Sequence, residues 1–589
     1  MFNQLTPLLN MLRYSWQFSV GHHRKFVVFI CMSFIAHIIL LLSPYVMGEV
    51  FNAIQAGGPE VLHNVGKWLL LLAGIEAAFW LFHGPSRVME REVAFWARGK
   101  LFDTVYEKLR TLPLKWHQDH HSGDTINRTR KAGNAMYDFS SDYFIYIGTI
   151  TGMLGPIAVL MFVSWQVAMV ALVMNLLTIV ALWRFDKSII LWLDRENNKD
   201  HKYSATLFDY MANFTTIITL RLGLRTQAEL DKRYNEIYPK YMPHVRINEW
   251  KYFILTMAAS LMSLLVLLVY IWHELTVTGT LMVGTAVAIY RYMDMLRHSF
   301  YGFAGTYQAI LKQHTDFTSI QQILSAKASQ LALNEGKKHG KWKTLELSGL
   351  NFSHESGDVT TVRDMHITAH KGQWIALIGE SGAGKSTLMA LLRGLYEPKK
   401  GSALSFDGKP APNLAALREM TTLIPQEPEI FENTILYNIT VGLHHTKKSL
   451  EQAVHLARFE PVLKKLPQGL NTDVREKGVN LSGGEKQRLA LARGLFAGKD
   501  SDVLLLDEAT SSVDVHNEMA IFKNIKKSYP DKVVISSVHK LNLLPFFDYV
   551  YIMEKGRIAE HGPVVELAKK PKSLYNKIIK KYKNHHETE

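Results

Sequence analysis

Uncharged, apolar stretches are concentrated before residue 290, and the rest of the chain has the mixed pattern of a water-soluble domain. A helix that spans a bilayer needs roughly 20 mostly apolar residues. Stretches of this kind predict six transmembrane helices, at 26–48, 68–86, 143–163, 166–183, 252–273 and 275–295. We therefore expect residues 1–325 to form an α-helical polytopic membrane domain whose helices have long cytoplasmic extensions.

Lys and Arg are distributed unevenly between the predicted loops. They are abundant between spans two and three and between spans four and five, and absent from the loops after spans three and five. Because positively charged loops stay on the cytoplasmic side, both termini and the second half of the chain are predicted to be cytoplasmic, at the cell (inner) membrane. These loops and a Lys-rich C-terminus explain much of the formal net charge of +14, so we expect no nucleic-acid partner.

Ionisable residues within predicted spans are costly and therefore informative. Glu76 lies in span two, and Arg291 and Asp294 lie on span six. One interpretation is that they line a path for a transported substrate. The other is that they form an internal ion pair or sit at the cytoplasmic edge, and the sequence leaves both interpretations open.

A hydrophilic connector, 326–343, leads to a second domain over 344–589 that contains a phosphate-binding motif. The motif follows the apolar segment 374–378 and precedes a helix-like segment. Its glycines let main-chain N–H groups surround an anion, its lysine can reach the β- and γ-phosphates, and its serine hydroxyl suits Mg²⁺. The residues of this predicted nucleotide site are Gly379, Glu380, Ser381, Gly382, Ala383, Gly384, Lys385, Ser386 and Thr387.

Two further apolar segments end in polar residues. The segment 503–507 ends at Asp507 and is followed by Glu508, and the segment 532–538 is followed by His539. A carboxylate beside a phosphate loop can hold Mg²⁺, and a second can orient an attacking water. His539 could contact a γ-phosphate or could be structural.

A second anion-binding nest is predicted at Ser482, Gly483, Gly484 and Glu485, where a serine and two glycines begin a helix. One phosphate loop needs only one such nest. The second therefore suggests that two copies of the chain meet face to face, each nest covering the nucleotide of the other copy.

Taken together, these motifs resemble those of the ATP-binding cassette (ABC) family, in the exporter type with six spans ahead of one nucleotide-binding domain. The resemblance implies a helical membrane domain followed by an α/β P-loop ATPase domain, with ATP and Mg²⁺ as cofactors. The implied catalytic residues are Glu508, His539, Lys385 and Gln426, and the implied metal-binding residues are Ser386, Gln426 and Asp507. His354 stands where the family usually places a tyrosine that stacks on adenine, and Ser482 to Glu485 form the signature.

Three positions depart from the family pattern. The signature ends in Glu485 rather than glutamine, His354 replaces the adenine-stacking tyrosine, and Val513 is unusual in the segment 511–514 that resembles the D-loop. The catalytic positions are all intact, which favours a homodimer with two working sites, although a heterodimer remains open.

The resemblance implies ATP-driven export of an amphipathic small molecule, lipid or peptide by alternating access in a dimer. An importer of the siderophore type on the same fold, a lipid flippase and an exporter dedicated to a mature peptide are the alternatives. The expected partners are a second copy of the chain, membrane lipids and a transported substrate.

Overall fold

The computed structural model describes residues 2–120, 122–277, 279–329, 340–353, 361–399, 401–411, 414–474 and 481–586. The chain forms two compact units. The first unit comprises Met1–Leu109 and Ser122–Ser325, and the second comprises Arg110–His121 and Ala326–Glu589. The sequence predicted one uninterrupted membrane domain up to residue 325, whereas the short segment Arg110–His121 packs with the second unit.

The first unit is helical throughout its secondary structure. Its helices are α1 (Phe2–Phe18), α2 (His23–Leu40), α3 (Ser43–Ala56), α4 (Val61–Thr111), α6 (Ser122–Ser141), α7 (Tyr143–Val163), α8 (Trp165–Ala212), α9 (Phe214–Thr219), α10 (Gly223–Asn235), α11 (Tyr238–Val277), α12 (Val283–Thr318) and α13 (Gln321–Ser325), with α5 (Leu114–Asp119) belonging to the second unit. Large apolar side chains on these helices face outward. Phe162, for example, is 92% exposed. Such exposure suits acyl chains and not water.

Five helical segments of the described chain are long and apolar enough to cross a membrane. They are His23–Ala56, Val61–Thr111, Tyr143–Val163, Trp165–Ile189 and Gly223–Val277. The predicted count of six spans is therefore not confirmed, because α12 carries Arg291, Asp294 and Arg297 within its first half.

Two of the predicted spans contain a break between two helices. The span at 26–48 is not one helix, because α2 ends at Leu40 and α3 begins at Ser43. Pro44 accounts for the break, since a proline ring clashes with the carbonyl group four residues earlier and supplies no N–H. The span at 275–295 is also interrupted, since α11 ends at Val277 and α12 begins at Val283.

Two close approaches hold the helices of the first unit together. Helices α3 and α12 cross at Gly48 and Gly284, where a Cβ atom added to Gly48 would lie 2.7 Å from the Gly284 carbonyl oxygen. Small residues at a crossing let two backbones approach in this way. Helices α8 and α11 are joined by a buried ion pair, in which Lys251 Nζ donates to Asp186 Oδ1 at 2.9 Å.

The second unit is built on a six-stranded sheet with the order β12-β11-β3-β10-β9-β6. Strands β11, β3, β10, β9 and β6 are parallel, and β12 is antiparallel to β11. The strands are β3 (Trp374–Ile378), β6 (Thr421–Ile424), β9 (Val503–Asp507), β10 (Val533–Ser537), β11 (Tyr549–Glu554) and β12 (Arg557–Pro563). β3, β9 and β10 are buried along their whole length, which explains their continuous apolar sequences.

A smaller antiparallel sheet and surrounding helices complete the second unit. The sheet has the order β2-β1-β4-β5. Its strands and the remaining elements are β1 (Thr344–Phe352), β2 (Val362–His370), α14 (Lys385–Leu392), β4 (Ala403–Phe406), β5 (Lys409–Pro410), α15 (Ala415–Met420), β7 (Asn433–Thr434), α16 (Ile435–Thr440), α17 (Lys447–Leu456), α18 (Glu460–Leu463), β8 (Asp473–Val474), α19 (Gly483–Ala497), α20 (Val515–Ser528), α21 (Val564–Lys569) and α22 (Leu574–His586).

Two hydrogen bonds tie the segment Arg110–His121, which contains the short helix α5, to the rest of the second unit. The Tyr396 hydroxyl donates to Gln118 Oε1 at 3.2 Å, and the Ser329 N–H donates to the Thr111 carbonyl at 2.9 Å. The segment with α5 is joined to the first unit on both sides by covalent chain.

The glycine crossing yields a matched pair of variants. Gly284→Ala should lower the apparent melting temperature of the purified protein, because its methyl group would overlap the Gly48 carbonyl and overpacking costs about 1–3 kcal/mol. Gly74→Ala lies in the interior of α4 with open space around it and should leave the melting temperature unchanged or raise it slightly. Equal effects of the two substitutions would contradict the crossing.

Candidate functional site

The phosphate loop joins β3 to α14, as the sequence predicted. Gly382 and Gly384 adopt φ angles of 80° and 100°, which residues with side chains rarely reach. These angles turn the loop so that α14 begins at Lys385, with Ser386 and Thr387 in its first turn. Glu380, Ser381 and Ala383 complete the loop. The N–H groups of this turn and the positive end of α14 favour an anion.

Lys385 is buried at the base of the loop. Its Nζ donates to the carbonyl groups of Gly379 at 2.8 Å and Glu380 at 3.2 Å. Burial lowers the pKa of the Lys385 ammonium, and the nearby carboxylates Glu508 and Asp507 oppose this shift. The lysine thus lies within the electrostatic reach of both predicted acidic residues.

Asp507 ends the buried strand β9 beside Ser386. Burial raises the pKa of the Asp507 carboxyl, while hydrogen bonding from Ser386 opposes the rise. Within the described part of the chain, no group forms a hydrogen bond with the buried Asp507 Oδ1 atom. A carboxylate oxygen without a partner next to a serine hydroxyl is the donor set that Mg²⁺ prefers. The two residues therefore fit the predicted Mg²⁺, and they would hold it beside the phosphates.

Glu508 brings three of the predicted catalytic residues together. Its Oε1 lies 2.7 Å from His539 Nε2, and its Oε2 accepts a hydrogen bond from Gln426 Nε2 at 2.8 Å. Glu508 has a φ angle of 47°, in the left-handed region that glutamate seldom occupies. Strain of this kind is concentrated at functional sites. Gln426, which the sequence assigned to both catalysis and metal binding, here contacts the Glu508 carboxylate.

The signature residues form the N-terminus of α19. The Ser482 side chain accepts a hydrogen bond from the Glu485 N–H at 3.4 Å, and the Glu485 carboxylate accepts one from the Ser482 N–H at 2.8 Å. This reciprocal arrangement is a capping box. The Ser482 N–H holds the pKa of the Glu485 carboxyl below its usual value. The unusual glutamate thus stabilises the helix start, while Ser482 and Gly483 are exposed.

Sequence reasoning missed Gln487, which links three motifs. Its Nε2 donates to Ser511 Oγ at 2.8 Å and to the Gln426 carbonyl at 3.3 Å, and its Oε1 accepts from the Ser512 N–H at 2.7 Å. The side chain is almost fully buried. A polar residue one turn into the signature helix was the available signal, but its partners lie far away in sequence.

One predicted site residue cannot be placed. His354, expected to stack on adenine, lies outside the described residues. The same holds for 475–480, just before the signature. The other predicted site residues lie in the phosphate loop, at the ends of β9 and β10, after β6, or at the start of α19.

Comparison with known families matches both halves of the chain. Residues 26–300 match the ABC transporter transmembrane region, and residues 362–511 match the ABC transporter domain. The two ranges together cover well over half of the chain.

Individual relatives agree with this assignment. The chain is 24% identical to the probable multidrug resistance ABC transporter ATP-binding/permease protein YheI of Bacillus subtilis, over 95% of this chain and 96% of that protein. It is 28% identical to heavy metal tolerance factor 1 of Caenorhabditis elegans, over 79% of this chain but only 58% of that protein. A solved bacterial Atm1-family ABC exporter with ATP bound has the same fold, with a TM-score of 0.81 at 21% identity, covering 95% of this chain and 99% of that one.

The order of the two matched regions and the residues gathered around the phosphate loop lead to one conclusion. The chain belongs to the ABC transporter family, as an ATP-hydrolysing half-transporter of the exporter type.

Proposed function

We propose that two copies of this chain form a homodimer that exports an amphipathic small molecule, lipid or peptide across the cell membrane by alternating access. Each ATP is held between the phosphate loop of one copy and the signature nest of the other. Closure of the two second units then opens the membrane cavity outward, and hydrolysis resets it. ATP can drive this cycle only because it binds the closed state more tightly.

The contact of Glu508 with both His539 and Gln426 carries the proposal. Bound Mg²⁺ would neutralise charge on the phosphates, and Ser386 and Asp507 would hold it. Glu508 supplies the carboxylate that orients water for attack. Lys385 supplies positive charge and His539 supplies a hydrogen-bond donor, both directed at the phosphoryl group on which negative charge develops in the transition state. Gln426 donates a hydrogen bond to the same carboxylate, so a shift of Gln426 would change the position of the Glu508 side chain.

The case for a homodimer rests on the completeness of one chain's motifs. The phosphate loop, Asp507, Glu508, His539 and the signature nest are all present, so two identical copies would make two equivalent sites. Gln487 lies on the helix that begins at the nest, and it contacts the segment 511–512 and Gln426. Because Gln426 donates to Glu508, closure of the nest on a partner's nucleotide would shift the Glu508 carboxylate.

The direction of transport can be tested in oriented membranes. The name of YheI describes a multidrug resistance protein, which favours export. An exporter with cytoplasmic ATP sites accumulates substrate in inside-out vesicles. ATP-dependent accumulation in right-side-out vesicles would instead support the importer, and movement of fluorescent lipid between leaflets would support the flippase.

The proposed role of Glu508 predicts the behaviour of Glu508→Gln. ATP hydrolysis in reconstituted liposomes should fall at least about 100-fold, since removal of a group that acts on the reacting water costs this much. ATP binding should persist, and the dimer should be trapped closed. Hydrolysis and trapping can be followed by phosphate release and by distance measurements between spin labels on the two copies.

Glu432→Gln is the matched control, because it removes the same charge from an exposed position of the same unit. It should hydrolyse ATP at the wild-type rate. Steady-state hydrolysis by Glu508→Gln at the control's rate would contradict the assigned role.

The linking role of Gln487 makes a separate prediction. Gln487→Leu leaves the Ser512 N–H without its acceptor and should lower kcat by about tenfold, since a lost buried hydrogen bond costs about 1–3 kcal/mol. The KM for ATP should change much less, because Gln487 is not in the phosphate loop. Gln468→Leu, at an exposed position, is the control. A rise in KM at unchanged kcat would show that Gln487 acts on ATP binding and does not link the nest to Glu508.

A further inference from the structure

An open cavity of about 530 Å³ lies in the first unit, among helices α2, α3, α4, α7 and α12. It brings together Glu76 and Arg291, the two residues of opposite charge that the sequence singled out within predicted spans. Asp294 lines the same cavity. The helices of this unit thus place ionisable groups around one space that is large enough for a small organic molecule.

Glu76 and Arg291 do not neutralise each other. Neither side chain forms an ion pair or a side-chain hydrogen bond with any residue that the structure describes. Asp294 differs, because Arg297 donates a hydrogen bond to its carboxylate and His298 Nδ1 lies 3.7 Å away. One acidic and one basic group are therefore left to face the cavity without partners. Inside a membrane domain, such groups are expensive and are kept for function.

The rest of the lining is mostly apolar, with a few groups that can form hydrogen bonds. Phe144, Ile145 and Met295 supply apolar surface. His37 Nδ1 donates to the Ser33 carbonyl at 2.7 Å, which leaves Nε2 of the neutral ring as an acceptor. This arrangement offers an apolar wall beside separate positive and negative groups.

Two glycines of α7 create the space for this lining. A Cβ atom on Gly148 would overlap the His37 ring, and one on Gly152 would overlap the Ser299 side chain. Both glycines line the cavity and lie four residues apart, on one face of α7. The two glycines therefore let the His37 ring and the Ser299 side chain lie close against α7 at the cavity.

We propose that this cavity binds a small amphiphile that carries both a cationic and an anionic group, with the cation on Glu76, the anion on Arg291 and the apolar part against Phe144, Ile145 and Met295. This assignment rests on the proposed function, because it names the substrate class of the exporter. Both side chains are exposed to the open cavity. A ligand with one charge would satisfy one of the two residues and would cover the other without giving it a partner. That penalty gives the site its selectivity.

The test uses three fluorescent probes that share a dansyl group and an alkyl chain. Dansyl-lysine carries an ammonium and a carboxylate, dansyl-cadaverine carries only the ammonium, and dansyl-aminohexanoic acid carries only the carboxylate. Each is titrated without ATP against the full-length protein in nanodiscs, and the signal of protein-free nanodiscs is subtracted. The wild-type protein should bind dansyl-lysine at least about tenfold more tightly than either singly charged probe.

Variants then assign each charge to its residue. Glu76→Gln should weaken the binding of dansyl-lysine and dansyl-cadaverine at least about tenfold and leave the binding of dansyl-aminohexanoic acid unchanged. Arg291→Met should weaken the binding of dansyl-lysine and dansyl-aminohexanoic acid to the same extent and leave the binding of dansyl-cadaverine unchanged. Glu60→Gln and Lys67→Met make the same changes at exposed positions outside the cavity and should bind all three probes as the wild type does.

Three results would overturn the assignment: no saturable binding of dansyl-lysine to the wild type, equal affinity of the wild type for all three probes, or unchanged selectivity in both variants. The wild-type comparison stands even if a variant does not fold. Because the titrations contain no ATP, they are independent of the vesicle assay. A protein that binds dansyl-lysine selectively, yet accumulates none of the three probes in the ATP-driven vesicle assay, would contradict the proposed export and leave the proposed binding site in place.

Discussion

Parallel pairing of β3, β9 and β10 is the constraint on which the nucleotide site depends. Parallel strands end at the same edge of a sheet, so residues that follow them must converge there. The phosphate loop follows β3, Asp507 and Glu508 end β9, and His539 follows β10. Their meeting is thus a consequence of topology, and the 2.7 Å approach of Glu508 to His539 needs no separate explanation.

Residues whose placement in the fold depends on local spacing could be predicted from the sequence. The phosphate loop, the Asp507–Glu508 pair and the signature nest follow from short motifs and their neighbouring strands. Gln487 could not be predicted, because its three partners lie in two distant segments that only the folded unit brings together. The break between α2 and α3 could not be read from hydropathy, because the apolar composition continues through Pro44 whereas the proline ring and its missing N–H interrupt the helix.

The membrane half shows a similar division. Apolar runs located the helices, and the charges within them marked Glu76 and Arg291 as unusual. Whether these two residues pair with each other depends on how each helix is rotated, and hydropathy does not report rotation. In the structure, both residues line one cavity and do not pair with each other. The general expectation that charges within a membrane domain serve a function thus becomes the specific expectation of a ligand with both a positive and a negative group.

The central claim is that each ATP site is built from two copies, and complementation tests it most directly. Lys385→Ala damages the phosphate loop and Ser482→Arg damages the nest, so each variant alone should be inactive. In a mixed dimer, both defects fall in one site and the other site is intact. The account predicts that co-assembled variants regain a substantial share of wild-type ATP hydrolysis. Mixed dimers that are as inactive as either variant alone would contradict it.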